Sequence, residues 1–148
     1  VSLPTEADFA VVKIGDGATP EVFTILCGMD QVTINRVANA SDRFRRDCAA
    51  PGSVPYRRSR TTGKQMDITA NGAINIPDIA TYSDALGVSS NYRIELGKYN
   101  GTPEGEIIHV INGPFNLTGA NNSVGGDEGT ADISLASDGI WTEGAPTP

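Results

Sequence analysis

The sequence contains one histidine, two cysteines, one tryptophan and only 6% aromatic residues in 148 positions. One His and two Cys fall short of the four N/S ligands of a closed zinc site. A Ser–His–Asp hydrolase would have to be assembled around that single imidazole, and no Gly-x-Ser-x-Gly elbow is present. No apolar run approaches the ~20 residues of a membrane-spanning helix. The opening Val1-Ser2-Leu3-Pro4-Thr5-Glu6-Ala7-Asp8 has neither the basic nor the apolar segment of a secretory signal. Nucleotide-binding patterns are incomplete: Gly15-Asp16-Gly17 lacks a third glycine, and Thr62-Gly63-Lys64 has Arg58 where a phosphate loop begins with glycine. Asp127-Glu128 stands between glycines without the ligand spacing of a calcium loop. No metal and no cofactor is expected.

What the sequence has is glycine, proline and an uneven charge. The net charge is −7. Seven of the eleven basic residues (Arg43, Arg45, Arg46, Arg57, Arg58, Arg60 and Lys64) lie between positions 43 and 64 with a single acid, Asp47, so that window carries +6 and the remainder −13. An acidic body opposes a surface built to grip nucleic acid. The basic window also holds Phe44 and Tyr56, and it favours Arg over Lys. Arg, Tyr and Phe are enriched at protein interfaces, and guanidinium forms bidentate pairs with carboxylates. The acidic body of a second copy is therefore the expected partner.

Short alternating segments punctuated by Gly, Pro and Asn predict about seven strands: 10–14, 22–26, 32–37, 65–70, 92–96, 106–111, with alternation continued by Phe115 and Leu117 after Gly113-Pro114, and 131–135. Asn71-Gly72 reads as a tight turn. One helix is predicted over 79–87, with Pro77 before it, Asp78 as cap, and Ile79, Tyr82 and Leu86 on its apolar face. Residues 38–64 show no periodicity and read as a long basic loop. The expected fold is mainly β, an antiparallel sandwich or barrel flanked by one short helix. It forms a single domain over 1–148, with an N-terminal arm (1–9) and a flexible tail (142–148).

His109, inside an apolar strand, reads as a hydrogen-bonded sheet residue rather than a catalytic base, and no enzyme is expected. Cys27 and Cys48 are either free thiols or a bond pinning the loop. On the alternating strand 92–96, Tyr92, Ile94 and Leu96 face the core and Glu95 faces away; Asp67 likewise opposes Met66 and Ile68.

The order of these pieces resembles the tail tube proteins of long-tailed, siphovirus-like bacteriophages. The resemblance spans residues 22–141. It is carried by Cys27-Gly28, Asp30 to Asn35, the polar loop, Gln65 to Gly72, the single helix and Tyr92 to Leu96. The closing segments Gly113 to Gly119 and Gly129 to Gly139, with their Ser137-Asp138-Gly139 turn, complete it. No single motif is specific; the order is. The resemblance implies hexameric rings whose inner sheets join into one barrel, stacked into a tube through which viral DNA passes. The long loop would reach the neighbouring ring, making Arg43, Phe44, Arg45, Arg46, Tyr56, Arg57, Arg58, Arg60 and Lys64 contact residues. Asp67, Glu95 and Glu106 become candidates for an electronegative lumen, with the tube exterior as their alternative position. Tape measure, tail terminator and tail tip proteins are the implied partners. The virion tail, and the host cytoplasm during assembly, are the implied locations, with no membrane. A monomeric immunoglobulin-like binding or decoration module is the competing reading of the same strands.

Overall fold

A computed structural model describes residues 3–126 and 128–146. Eight strands form one antiparallel sheet: β1 (Phe9–Gly15), β2 (Phe23–Ile25), β3 (Met29–Phe44), β4 (Arg57–Ala73), β5 (Ser89–Lys98), β6 (Glu106–Ser123), β7 (Thr130–Ser137) and β8 (Thr142–Gly144). The spatial order is β2-β1-β5-β6-β7-β4-β3, and β8 pairs with β6. The first and last strands of this order, β2 and β3, are consecutive in the chain and joined by three residues. The sheet must therefore curl back on itself, which brings β1 against β3 and encloses a core between its two halves.

Alternation explains that core. Val12 on β1, Met66, Ile68 and Ala70 on β4, Tyr92 and Ile94 on β5, Ile111, Phe115 and Leu117 on β6, and Ala131, Ile133 and Leu135 on β7 all point inward and are buried. Burying each large side chain contributes about 1.5–3 kcal/mol. Tyr92 and Phe115 meet edge to face at 6.3 Å. Leu96 packs partly buried against the same cluster.

Several expectations are corrected. Asn71-Gly72 is not a turn, because β4 runs through it to Ala73. Its glycine serves a close approach: a Cβ on Gly72 would lie 1.7 Å from the Gly28 carbonyl oxygen, so no larger residue fits. Residues 38–64 are not an irregular loop. β3 and β4 pair from Met29↔Gly72 to Phe44↔Arg57, with bulges that leave out Asp30 and Thr62, and only 45–56 lies outside strands. The periodicity was invisible because residues 36–49 are exposed on both faces, and alternation marks only strands with one buried face. Nor is the segment 142–148 a free tail: Thr142–Gly144 pairs with Asn112, Ile111 and Val110, while Thr147 and Pro148 lie outside the described residues.

The helix α1 spans Ile79–Ala85 after a 3₁₀ turn at Ile76–Asp78. Tyr82 and Ala85 are buried, but Leu86 is 49% exposed, beyond the helix end. Asp78 is the N-cap residue of α1, but its side chain makes no cap hydrogen bond; its carboxylate instead accepts the Cys27 N–H (3.0 Å) and Asn75 Nδ2–H (2.7 Å), tying the helix to the β2–β3 turn. The arm is anchored from Asp8, whose N–H donates to the Gly97 carbonyl (2.8 Å) and whose carboxylate accepts the Tyr99 N–H (3.0 Å). Among the described residues, no helix is long and apolar enough to cross a membrane.

Candidate assembly surfaces

The first surface is a ribbon. β4 pairs with β7 only over Asp67–Ala73, and the Met66 N–H donates to Ser137 Oγ of β7 (3.0 Å). Residues 57–65 therefore have, among the described residues, only β3 beside them, and the hairpin projects about 30 Å past the sheet at ~3.3 Å per residue. Cross-strand register brings Arg43 opposite Arg58 and Ser41 opposite Arg60, which puts three arginines on one side of the ribbon. Phe44, Arg57 and Asp42 take the other side, where Arg57 and Asp42 are 4.0 Å apart. Arg45, Arg46 and Tyr56 lie in the tip, Lys64 near the base, and all are exposed. The window singled out in the sequence is thus one continuous element.

The second surface is the outward face of β3, β4, β7 and the C-terminal half of β6. Rows of paired residues cross it: Gln31, Asn71, Asp132 and Asn121; Thr33, Thr69, Ser134 and Gly119; Asn35, Asp67, Ala136 and Asn116. These twelve positions hold two acids, Asp67 and Asp132, and no base. Gln65 Nε2 donates to the Asp67 carboxylate (3.1 Å). Both edges of this four-stranded half are open. Among the described residues β3 has no outer neighbour. β6 leaves β5 after Asn116, and beyond it only the Leu117 carbonyl is used, by the Gly87 N–H (2.9 Å).

The structure does not bring Glu95 and Glu106 to that face. Glu95 points outward from β5, on the other half of the sheet, 9% exposed and bonded to Lys13 Nζ at 3.0 Å. Beside it, Arg93 donates to Asn112 (3.1 Å) and lies over the Phe23 ring at 5.1 Å. Glu106 opens β6, exposed and opposite Lys98.

A third feature escaped sequence reasoning. Glu143 of β8 accepts hydrogen bonds from both Arg36 Nε (3.0 Å) and Arg36 Nη2, and from Trp141 Nε1 (3.2 Å); His109 Nε2 lies 3.2 Å from its Oε1. The Arg36 fork, opposed by partial burial and helped by His109 and Trp141, holds the Glu143 carboxyl at about 2, below its usual 4.5. The Arg36 guanidinium is shifted upward by the same contact. This cluster clasps β8 to the base of the ribbon. Residues 36, 109 and 143 share no spacing that could have announced it. Asp132, by contrast, was legible from the alternation of Ala131, Ile133 and Leu135. Cys27 and Cys48 are both free and exposed. Among the described residues, no three His, Cys, Asp or Glu side chains converge as a metal site, and Asp127 lies outside those residues.

No family model matches the chain, and no curated protein does. Solved structures do. A chain from the tail of an empty gene transfer agent particle, refined with C6 symmetry, superposes with a TM-score of 0.64 at 14% identity, covering 94% of this chain and 98% of that one. A chain from the sheath–tube complex of an extracellular contractile injection system gives 0.64 at 13% identity, covering 99% and 95%. One from the anti-feeding prophage baseplate gives 0.66 at 9% identity, covering 97% of each. Mainly antiparallel β with one short helix, this chain has the tail-tube-like fold that these tail and injection-system chains share.

Proposed function

We propose that the protein is the structural subunit of a bacteriophage tail tube, forming stacked hexameric rings around a channel for the DNA genome, with no catalytic role. One observation carries this reading: a four-stranded half-sheet, open at both edges, whose outward face bears acids and small neutral polar residues but no base. Open edges are templates for pairing. The edge of β3 from one copy and that of β6, residues 118–123, from the next can continue the sheet around a ring, which removes both edges. The polar face then lines the lumen, with Asp67 within it and Asp132 at its rim beside the root of the hairpin. A wall without Lys or Arg makes none of the phosphate contacts that hold DNA. With a screening length of ~8 Å at cellular salt, its repulsion acts close to the wall and leaves the strand free to slide.

In this arrangement Glu95, neutralised by Lys13, and Glu106 belong to the outer half of the subunit. The ribbon, with Arg43, Phe44, Arg45, Arg46, Tyr56, Arg57, Arg58, Arg60 and Lys64, makes the inter-ring contact. Tape measure, terminator and tail tip proteins are the expected neighbours, and the virion tail the expected place. The narrower assignment to long-tailed phages rests on the order of sequence segments, since gene transfer agent and contractile injection systems both appear among the similar structures.

Negative-stain microscopy of concentrated protein across a salt series tests the proposal. Rings or tubes with an open centre are expected; a strict monomer under every condition refutes it and favours a monomeric binding module.

A further inference from the structure

The surface that receives the ribbon can be read from the same hairpin; this step rests on the tube reading. β3 runs from Met29 to Phe44 and β4 returns from Arg57 to Ala73, so the hairpin has two poles separated by roughly 50 Å of strand. At the tip pole stand exposed arginines, of which only Arg57 has a carboxylate within 4.0 Å among the described residues. At the other pole an open cleft of about 370 Å³ is lined by Asp30, Asn71, Glu128 and Asp132 together with Gly72. Asp30, Glu128 and Asp132 are exposed, and none forms an ion pair among the described residues. The acids also do not converge tightly enough to chelate a cation. Elsewhere on the body, Lys13 and Arg36 are already engaged by Glu95 and Glu143. Exposed arginines therefore concentrate at the tip pole, while three acids without an ion pair among the described residues face solvent at the opposite pole.

We propose that the arginine face of the ribbon (Arg43, Arg58, Arg60) docks head to tail into the Asp30–Glu128–Asp132 cleft of a second copy. Complementary surfaces at opposite poles make a heterologous contact, which repeats along an axis instead of closing on itself. Exposed ion pairs are individually weak, but a ring presents several ribbons at once, and the contacts then act together. Such stacking is steeply sensitive to salt.

Charge exchange in the full-length protein tests this. Three variants are compared with wild type by sedimentation velocity and negative-stain microscopy, with folding checked by circular dichroism and thermal melting. They are a cleft reversal (Asp30→Lys with Glu128→Lys), a ribbon reversal (Arg43→Glu, Arg58→Glu, Arg60→Glu), and the two combined. Each single reversal is expected to raise the concentration needed for stacking at least tenfold with melting unchanged. The combined variant, whose charges are complementary again, is expected to recover tubes. An equimolar mixture of the two single reversals should also stack, in alternation, because wild-type ribbon meets wild-type cleft at one contact and reversed ribbon meets reversed cleft at the next. If the lysine at 30 prevents folding, the milder Asp30→Asn with Glu128→Gln is used and a smaller increase in the same direction is expected. Normal tubes from the cleft reversal, or no recovery in the combined variant, overturn the docking while wild-type tubes leave the subunit assignment standing. Failure of wild type to form rings or tubes overturns both. Retention of a labelled DNA duplex at physiological salt by wild type, lost on ribbon reversal while cleft reversal stacks normally, assigns the ribbon to nucleic acid and also overturns the docking.

Discussion

Two buried tyrosines set the residue scale. The hydroxyls of Tyr82 and Tyr92 are buried without a hydrogen-bond partner among the described residues. Burial pushes both phenols up to about 12; at Tyr82 the nearby Asp78 carboxylate adds to it. An unpaired buried hydroxyl costs desolvation without return, so Tyr92→Phe and Tyr82→Phe should leave the melting temperature unchanged or raise it by a few degrees in calorimetry. A drop of several degrees would mean that the hydroxyls have partners. Glu143 behaves in the opposite way. Its folded-state pKa, about 2, lies below the ordinary 4.5, so its contribution is complete above pH ~5 and fades as pH falls toward 2. With half-exposed Arg36 as partner, solvent screening reduces that contribution to about 2 kcal/mol. Denaturant titrations between pH 6 and 2.5 should show this loss, and Glu143→Gln should flatten it.

At the scale of elements, the β3–β4 hairpin decides most. Gly72→Ala would drive a Cβ into the Gly28 carbonyl at the root of the hairpin and should cost about 3 kcal/mol, measurable by chemical denaturation. Charge reversal of Arg57, Arg58 and Arg60 should leave stability within about 0.5 kcal/mol, as exposed substitutions do, while blocking the stacking of rings. The hairpin also shows where local pattern fails. Gln65 to Ala70 was readable as a strand because Met66, Ile68 and Ala70 alternate into the core. The next eight residues toward the tip, 57–64, belong to the same strand but have no core to face. Thr142–Gly144 was misread for a related reason: three residues carry no period, and their strand identity comes from β6 alongside.

At the scale of the whole molecule, the open edges of β3 and β6 predict a change on assembly. The amides that point out of these edges, every second residue within 29–37 and 118–123, should exchange freely with solvent in the monomer and become protected in assembled material, read by hydrogen–deuterium exchange. Protection confined to the ribbon would remove the edges from the ring contact. Charge is divided at this scale too. The −7 total separates into a basic pole, an acidic pole and a neutral-to-acidic face, a division that composition alone cannot express.

By itself the sequence determined the β class, the single helix, the inward residues of the core strands and the basic window, because alternation, turn residues and charge are local properties. Tertiary structure alone decided that the window is a ribbon, that Asp67 and Asp132 share a face while Glu95 is neutralised by Lys13, and that Glu143 clasps Arg36 from more than a hundred residues away. Those outcomes depend on which strands become neighbours when the sheet curls, and no pattern confined to one segment contains that pairing.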